Sequence, residues 1–67
     1  MSKLWESNKL RFWREQNGMT QEELAKKLKV SQPAIQKWEK GTREPNLQNL
    51  YDICKVLNIK IDDLVKL

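Results

Sequence analysis

Apolar residues along this chain recur three and four positions apart and almost never alternate, which predicts helices throughout and an all-α fold. The first helix is expected to start somewhere in residues 3–8 and run to about Asn17, with Leu10 and Trp13 inward, ending at Gly18 in a left-handed cap. Met19 adds to the core past the turn. Thr20 and Glu23 stand at capping-box spacing and start a second helix whose inner face is Leu24, Ala25 and Leu28. A turn through Lys29 and Val30 leads to a third helix, which begins near Ser31, turns Ile35 and Trp38 inward and ends at Gly41. After the loop TREP, Asn46 caps a fourth helix with the apolar stripe Leu47, Leu50, Ile53, Cys54 and Leu57. Asn58 suits a left-handed cap, and Ile59 and Leu64 carry the core into a short fifth helix over roughly residues 61–67. The expectation is five helices in one domain spanning residues 1–67.

A chain of 67 residues builds one small core. A single cysteine excludes an internal disulfide, and the lack of histidine leaves no cysteine–histidine cluster for a structural zinc. No cofactor is expected. No apolar run is long enough to cross a membrane, and the start of the chain lacks the apolar stretch of a signal peptide, so a cytoplasmic protein is expected. The net charge of +4 is unevenly placed. Residues 24–43 carry Lys26, Lys27, Lys29, Lys37, Lys40 and Arg43 against Glu39, a local excess of five positive charges, whereas residues 46–67 balance three cations with three anions. Such a patch attracts a polyanion and releases counterions on binding, although lysines are also common on small solvated surfaces.

The charge falls on Thr20–Gly41, which reads as two short helices joined by a tight turn. In a small basic chain a helix-turn-helix points to recognition of double-stranded DNA. With Ile35 and Trp38 inward, Gln32, Pro33, Gln36 and Lys37 lie on or near the opposite face of the third helix. Exposed residues in the first two turns of a recognition helix are those that reach base edges. A glutamine pairs with adenine N6 and N7, a lysine with guanine O6 and N7, and Ala34 is small enough to meet a thymine methyl. The plainer reading is a solvated polar face. Pro33 suits a first helical turn but disfavours helical geometry at Gln32, so either Ser31 or Gln32 is the cap. Gln21 sits at a helix N-terminus, where free N–H groups favour a phosphate. Cys54, on the packed stripe, reads as a buried inert thiol. Lys29 follows Leu28 where left-handed geometry is expected, at a penalty of about 1 kcal/mol for a side chain other than glycine.

These residues resemble the Cro/CI-type (lambda-repressor-like) helix-turn-helix domain of phage and bacterial repressors. The resemblance covers about residues 10–65 and rests on LRFWR, GMTQEELA, VSQ, WEKG, EPNLQNL and IDDL in that order. It implies five helices with the third in the major groove, and a bacterial or phage-encoded protein associated with the nucleoid. It implies base-edge roles for Gln32, Pro33 and Lys37, with Gln36 beside them, and phosphate contacts from Gln21, Thr42 and Arg43. Ser31 and Lys29, in the turn, are assigned to phosphates as well. Arg14 and Glu39 match a partly buried ion pair joining the first helix to the third. The chain departs from the family at three positions: Lys29 replaces the usual glycine, Pro33 a polar residue, and Lys60 a small helix-capping residue.

Two function classes follow. The first is a transcriptional regulator, most simply a repressor, binding a palindromic operator in double-stranded DNA as a homodimer. Ile61, Val65 and Leu67 are the candidate dimer contacts. The second is a protein-interaction module or antitoxin-type partner that uses Trp5, Phe12, Val65 and Leu67. Trp5 and Phe12, seven apart, share one face of the first helix if it begins early, and pack either against Ile61, Val65 and Leu67 or against a second chain. Salt-dependent DNA binding separates the two classes. An enzyme is not expected, because no residue set supplies a nucleophile with a base and an orienter.

Overall fold

A computed structural model describes residues 4–66. Four α-helices form: α1 (Ser7–Gln16), α2 (Gln21–Leu28), α3 (Gln32–Lys40) and α4 (Leu47–Leu57), followed by a 3-10 turn at Ile61–Asp63. Helix α3 packs on both α1 and α2, α2 also packs on α4, and the 3-10 turn closes against α4.

Local chemistry sets the helix ends. Thr20 Oγ1 accepts the Glu23 N–H at 3.1 Å, and Glu23 Oε1 accepts the Thr20 N–H at 2.9 Å, which completes the capping box. The N–H that Thr20 donates to it holds the Glu23 carboxyl below its ordinary pKa. Ser31 caps α3, its Oγ accepting the Ala34 N–H at 3.3 Å, so Gln32 and Pro33 both lie inside the first turn. Asn46 Oδ1 accepts the Asn49 N–H at 2.8 Å and starts α4. Gly18, Lys29, Gly41 and Asn58 all take positive φ, the left-handed geometry that reverses the chain after each of the four helices.

Lys29 adopts φ 59° and ψ 41°. The left-handed region costs an L-residue about 1–2 kcal/mol, and glycine avoids this while losing some backbone entropy on folding. Lys29→Gly is therefore expected to leave stability unchanged or raise it by up to about 1 kcal/mol. Chemical denaturation of the two proteins checks this. A clear loss of stability would mean that the lysine side chain stabilises the turn more than the backbone strains it.

The core is Leu10, Leu24, Leu28, Ile35, Trp38, Ile53, Leu57, Leu64 and Val65, with Ala25. Leu10, Leu24, Ile35, Ile53 and Leu64 have no exposed surface, so each of the four helices and the C-terminal segment contributes to one centre.

Three expectations are corrected. There is no fifth α-helix; a three-residue 3-10 turn stands in its place. Asp63 Oδ2 accepts the Lys60 N–H at 2.9 Å, but the Lys60 ammonium has no acceptor to return to the Asp63 backbone. Beyond the turn the chain joins the N-terminal segment: Trp5 and Val65 form an antiparallel bridge, and the Lys66 N–H donates to the Leu4 carbonyl at 2.7 Å. Pairing with residues 4–6 displaces helix over residues 64–66. Second, Leu47 is 80 % exposed rather than part of the inner stripe, because the first turn of α4 extends beyond the core. Third, Trp5 and Phe12 do not share a helix face, since Trp5 precedes α1. The Trp5 indole N–H donates to the Trp38 carbonyl at 2.9 Å, whereas Phe12 is exposed and meets Trp13 edge-on at 5.0 Å. Leu67 lies outside the described residues.

Candidate nucleic-acid interface

Helix α3 has one face in the core and one polar face. Ile35 is fully buried and Trp38 is 4 % exposed, which fixes the rotation of the helix. Gln32, Pro33, Gln36 and Lys37 are then exposed together along its first two turns. Pro33 offers shape but no N–H, so hydrogen bonding falls to the two glutamines and the lysine. Ala34 is half-buried and lines a hollow with Ser31, Trp38 and Arg43.

The loop after α3 is tied to the helix it leaves. The Lys37 carbonyl accepts the Thr42 N–H at 3.1 Å, the Thr42 hydroxyl at 3.3 Å and the Arg43 N–H at 3.4 Å. These bonds hold Thr42 and Arg43 against the last turn of α3, with both side chains exposed. Ser31 and Arg43 come to the same hollow from opposite ends of the helix. Lys29 does not join them; it lines a separate hollow with Lys27 and Lys55.

Arg14 and Glu39 lock α1 to α3. Arg14 Nε donates to Glu39 Oε2 at 2.7 Å and Nη2 to Oε1 at 3.1 Å, a two-pronged pair whose side chains are only 9 % and 5 % exposed. Arg14 Nη1 also donates to the Met19 carbonyl at 2.7 Å, so one guanidinium holds the α1–α2 turn and α3 together. The bond to Glu39 raises the Arg14 pKa, against the opposing effect of burial.

Gln21 is drawn into the same network, its amide donating to Glu39 Oε1 at 3.1 Å. Its side chain is thereby aligned beside α3, while the first N–H groups of α2 have no partner inside the helix. The sequence reading missed this third member, although the four-residue offset between Gln21 and Ala25 places Gln21 on the inner side of α2. It also missed two indole anchors. Besides the Trp5 bond to α3, Trp13 Nε1 donates to the Asp63 carbonyl at 3.0 Å and fastens α1 to the 3-10 turn. Cys54, expected to be buried, is half-buried, and that burial pushes its thiol pKa up.

Of the expected dimer contacts, Ile61 is 43 % exposed, but Val65 is only 8 % exposed and belongs to the chain's own core. The bridge to Trp5 turns it inward. The exposed apolar side chains are instead Leu4, Leu47, Tyr51 and Ile61, which line two adjoining apolar hollows with Leu50 between them. Phe12 is exposed as well.

Among the described residues no helix is long and apolar enough to cross a membrane, and no cluster of side chains suits a metal ion.

Comparison with known proteins agrees with this geometry. The helix-turn-helix family model matches residues 10–64. The chain is 44 % identical over 57 residues to an HTH-type transcriptional regulator of Methanocaldococcus jannaschii, covering 85 % of this chain and 86 % of that protein. It is 42 % identical over 59 residues to the HTH-type transcriptional activator BcrR of Enterococcus faecalis, covering 88 % of this chain and 29 % of the activator. Among solved structures, the P22 c2 repressor in complex with a synthetic operator superposes with a TM-score of 0.85 at 35 % identity, covering 90 % of this chain and 91 % of that one.

Proposed function

The chain belongs to the helix-turn-helix family of transcriptional regulators, and on that premise we propose that it is a repressor that binds a palindromic operator as a homodimer. It is a DNA-binding protein rather than an enzyme. The observation that carries the reading is the polar face of α3, held in one orientation by Ile35 and Trp38 below it. Lying in the major groove, α3 presents Gln32, Gln36 and Lys37 to base edges, with Pro33 giving shape only. Gln21 and Ser31 meet the phosphates from the helix starts, Thr42 and Arg43 from the loop, and Lys29 from the turn. The protein acts beside the nucleoid, in the cytoplasm, and represses by occupying the operator.

Two copies meet through the apolar face of Leu4, Leu47, Tyr51 and Ile61, which takes the place assigned from sequence to Val65. Their recognition helices then enter successive major grooves about 34 Å apart. Selection of bound sites from a random DNA pool tests both parts. A palindromic consensus with half-sites about one helical turn apart is expected. A single, non-repeated half-site would refute the homodimer, and no enrichment at all would refute sequence-specific binding.

Lys37→Ala is expected to cost about 1–3 kcal/mol of specific binding and to relax discrimination at one base pair per half-site. Lys37 is exposed on the second turn of α3, and its backbone carbonyl, not its ammonium, carries the loop. The fold is therefore unaffected, and an unchanged consensus in the variant would remove Lys37 from the base contacts.

A further inference from the structure

Trp5 touches two surfaces at once. Its backbone is fixed by the C-terminal segment, since the Glu6 N–H donates to the Leu64 carbonyl at 3.4 Å and the Lys66 N–H to the Leu4 carbonyl at 2.7 Å. Its indole N–H donates to the Trp38 carbonyl of α3 at 2.9 Å. Its ring helps to wall an apolar hollow of about 300 Å³, together with Pro45, Leu47, Leu50 and Ile61. We infer that Trp5 is a positioning residue that couples association to DNA contact: its N–H holds the end of α3, and its ring lines the hollow that a second copy covers. The inference rests on the readings of α3 as the recognition helix and of the apolar face as the dimer contact.

A helix leaves its last four carbonyls without partners inside it. In α3 the Lys37 carbonyl accepts the Thr42 and Arg43 N–H groups, and the Trp38 carbonyl accepts the Trp5 indole and, at 3.3 Å, the Gly41 N–H. Trp5 thus supplies the shorter of the two bonds on the carbonyl next to the one that carries Thr42 and Arg43. The last turn of α3 is held by its own loop and by a ring 33 positions away.

The same loop reaches the hollow. Glu44 and Pro45, directly after Arg43, line it. Pro45 is buried and its ring fixes φ, so Arg43 has little freedom to shift without moving a wall of the hollow. A second copy covering the hollow meets Trp5 and Pro45 together. Both lead to the phosphate-facing pair Thr42 and Arg43, one through Trp38 and one along the chain. Groups already ordered by association cost less to order on DNA. Reciprocity makes DNA strengthen the dimer by the same factor.

A labelled duplex carrying one selected half-site separates this coupling from the gain of gripping two half-sites. Sedimentation under the same conditions identifies dimer and monomer. Per site, the wild-type dimer is expected to bind this duplex about fivefold more tightly than monomeric Leu47→Asp. Trp5→Phe keeps an aromatic ring and removes the N–H. In that background the dimer and the Leu47→Asp monomer are expected to agree within about twofold. A ratio that survives Trp5→Phe would make Trp5 structural only and overturn the inference. A ratio near one in the wild type, with dimer and monomer both confirmed, would overturn it too and leave the regulator reading standing. Circular dichroism checks folding. If Trp5→Phe does not fold, 3-benzothienylalanine at position 5 keeps the fused ring, replaces the N–H with sulfur and gives the same reading. A Leu47→Asp protein that still dimerises would remove the dimer face and the inference with it. No binding of the full operator by the wild type would remove the regulator reading as well.

Discussion

Replacing Glu39 with alanine is expected to lower the unfolding free energy by about 3–5 kcal/mol, because it strands a buried guanidinium. Arg14 is 8 % exposed and directs two of its nitrogens at Glu39. A domain of this size is held by roughly 0.05–0.15 kcal/mol per residue, so the loss is a large part of the total. Arg14→Ala acts on the same network from the other side. It leaves Glu39 with only the Gln21 amide and removes the donor to the Met19 carbonyl. A double-mutant cycle in urea is expected to give a coupling well above the range of about 0–1 kcal/mol seen for exposed pairs. Coupling near zero would show that the pair adds nothing to the fold. The functional consequence follows from position. Glu39 lies between Lys37 and Lys40 on α3, and its pairing with Arg14 ties the proposed recognition helix to α1. A folded double variant is therefore expected to bind DNA less specifically even where its stability is recovered.

Much of this architecture was legible because short-range chemistry decides it. The Thr20–Glu23 box, the left-handed residues at Gly18, Lys29 and Asn58, and the Asn46 cap each depend on a few neighbouring residues. The outward face of α3 follows from the inward pair Ile35 and Trp38. The C-terminal segment was misread because its conformation depends on residues some sixty positions away. Trp5 was expected against Val65 or against a second chain, but nothing in IDDLVKL shows that the two form a backbone bridge, or that the Lys66 N–H will find the Leu4 carbonyl. Helical spacing places Val65 on a surface only if the helix continues. Leu47 failed for a related reason: an apolar stripe tells which side of a helix is inward, not where along its length the core ends. The bonds from Trp5 to Trp38 and from Trp13 to Asp63 join residues 33 and 50 positions apart, and no local pattern marks them.

The contrast between Val65 and Leu47 gives the second large effect. Val65→Asp is expected to unfold the protein or destabilise it by several kcal/mol, since it places an unpaired carboxylate in the apolar core. Val65 is 8 % exposed and packs among Leu64, Trp5 and the rest of the core, with no cation among the core residues to receive the charge. Leu47→Asp makes the same chemical change at a side chain that is 80 % exposed, and it is expected to leave the thermal unfolding midpoint nearly unchanged. Position 47 follows the Asn46 cap, where a carboxylate interacts favourably with the start of α4. What Leu47→Asp is expected to lose is association, because the charge falls in the middle of the apolar face shared with Leu4, Tyr51 and Ile61. Sedimentation equilibrium then shows a weaker dimer, and operator binding becomes more dependent on protein concentration. A folded Val65→Asp protein of wild-type stability would mean that residues 64–66 do not pack as described. A Leu47→Asp protein with unaltered association would move the dimer contact away from this face, and with it the spacing expected between the two recognition helices.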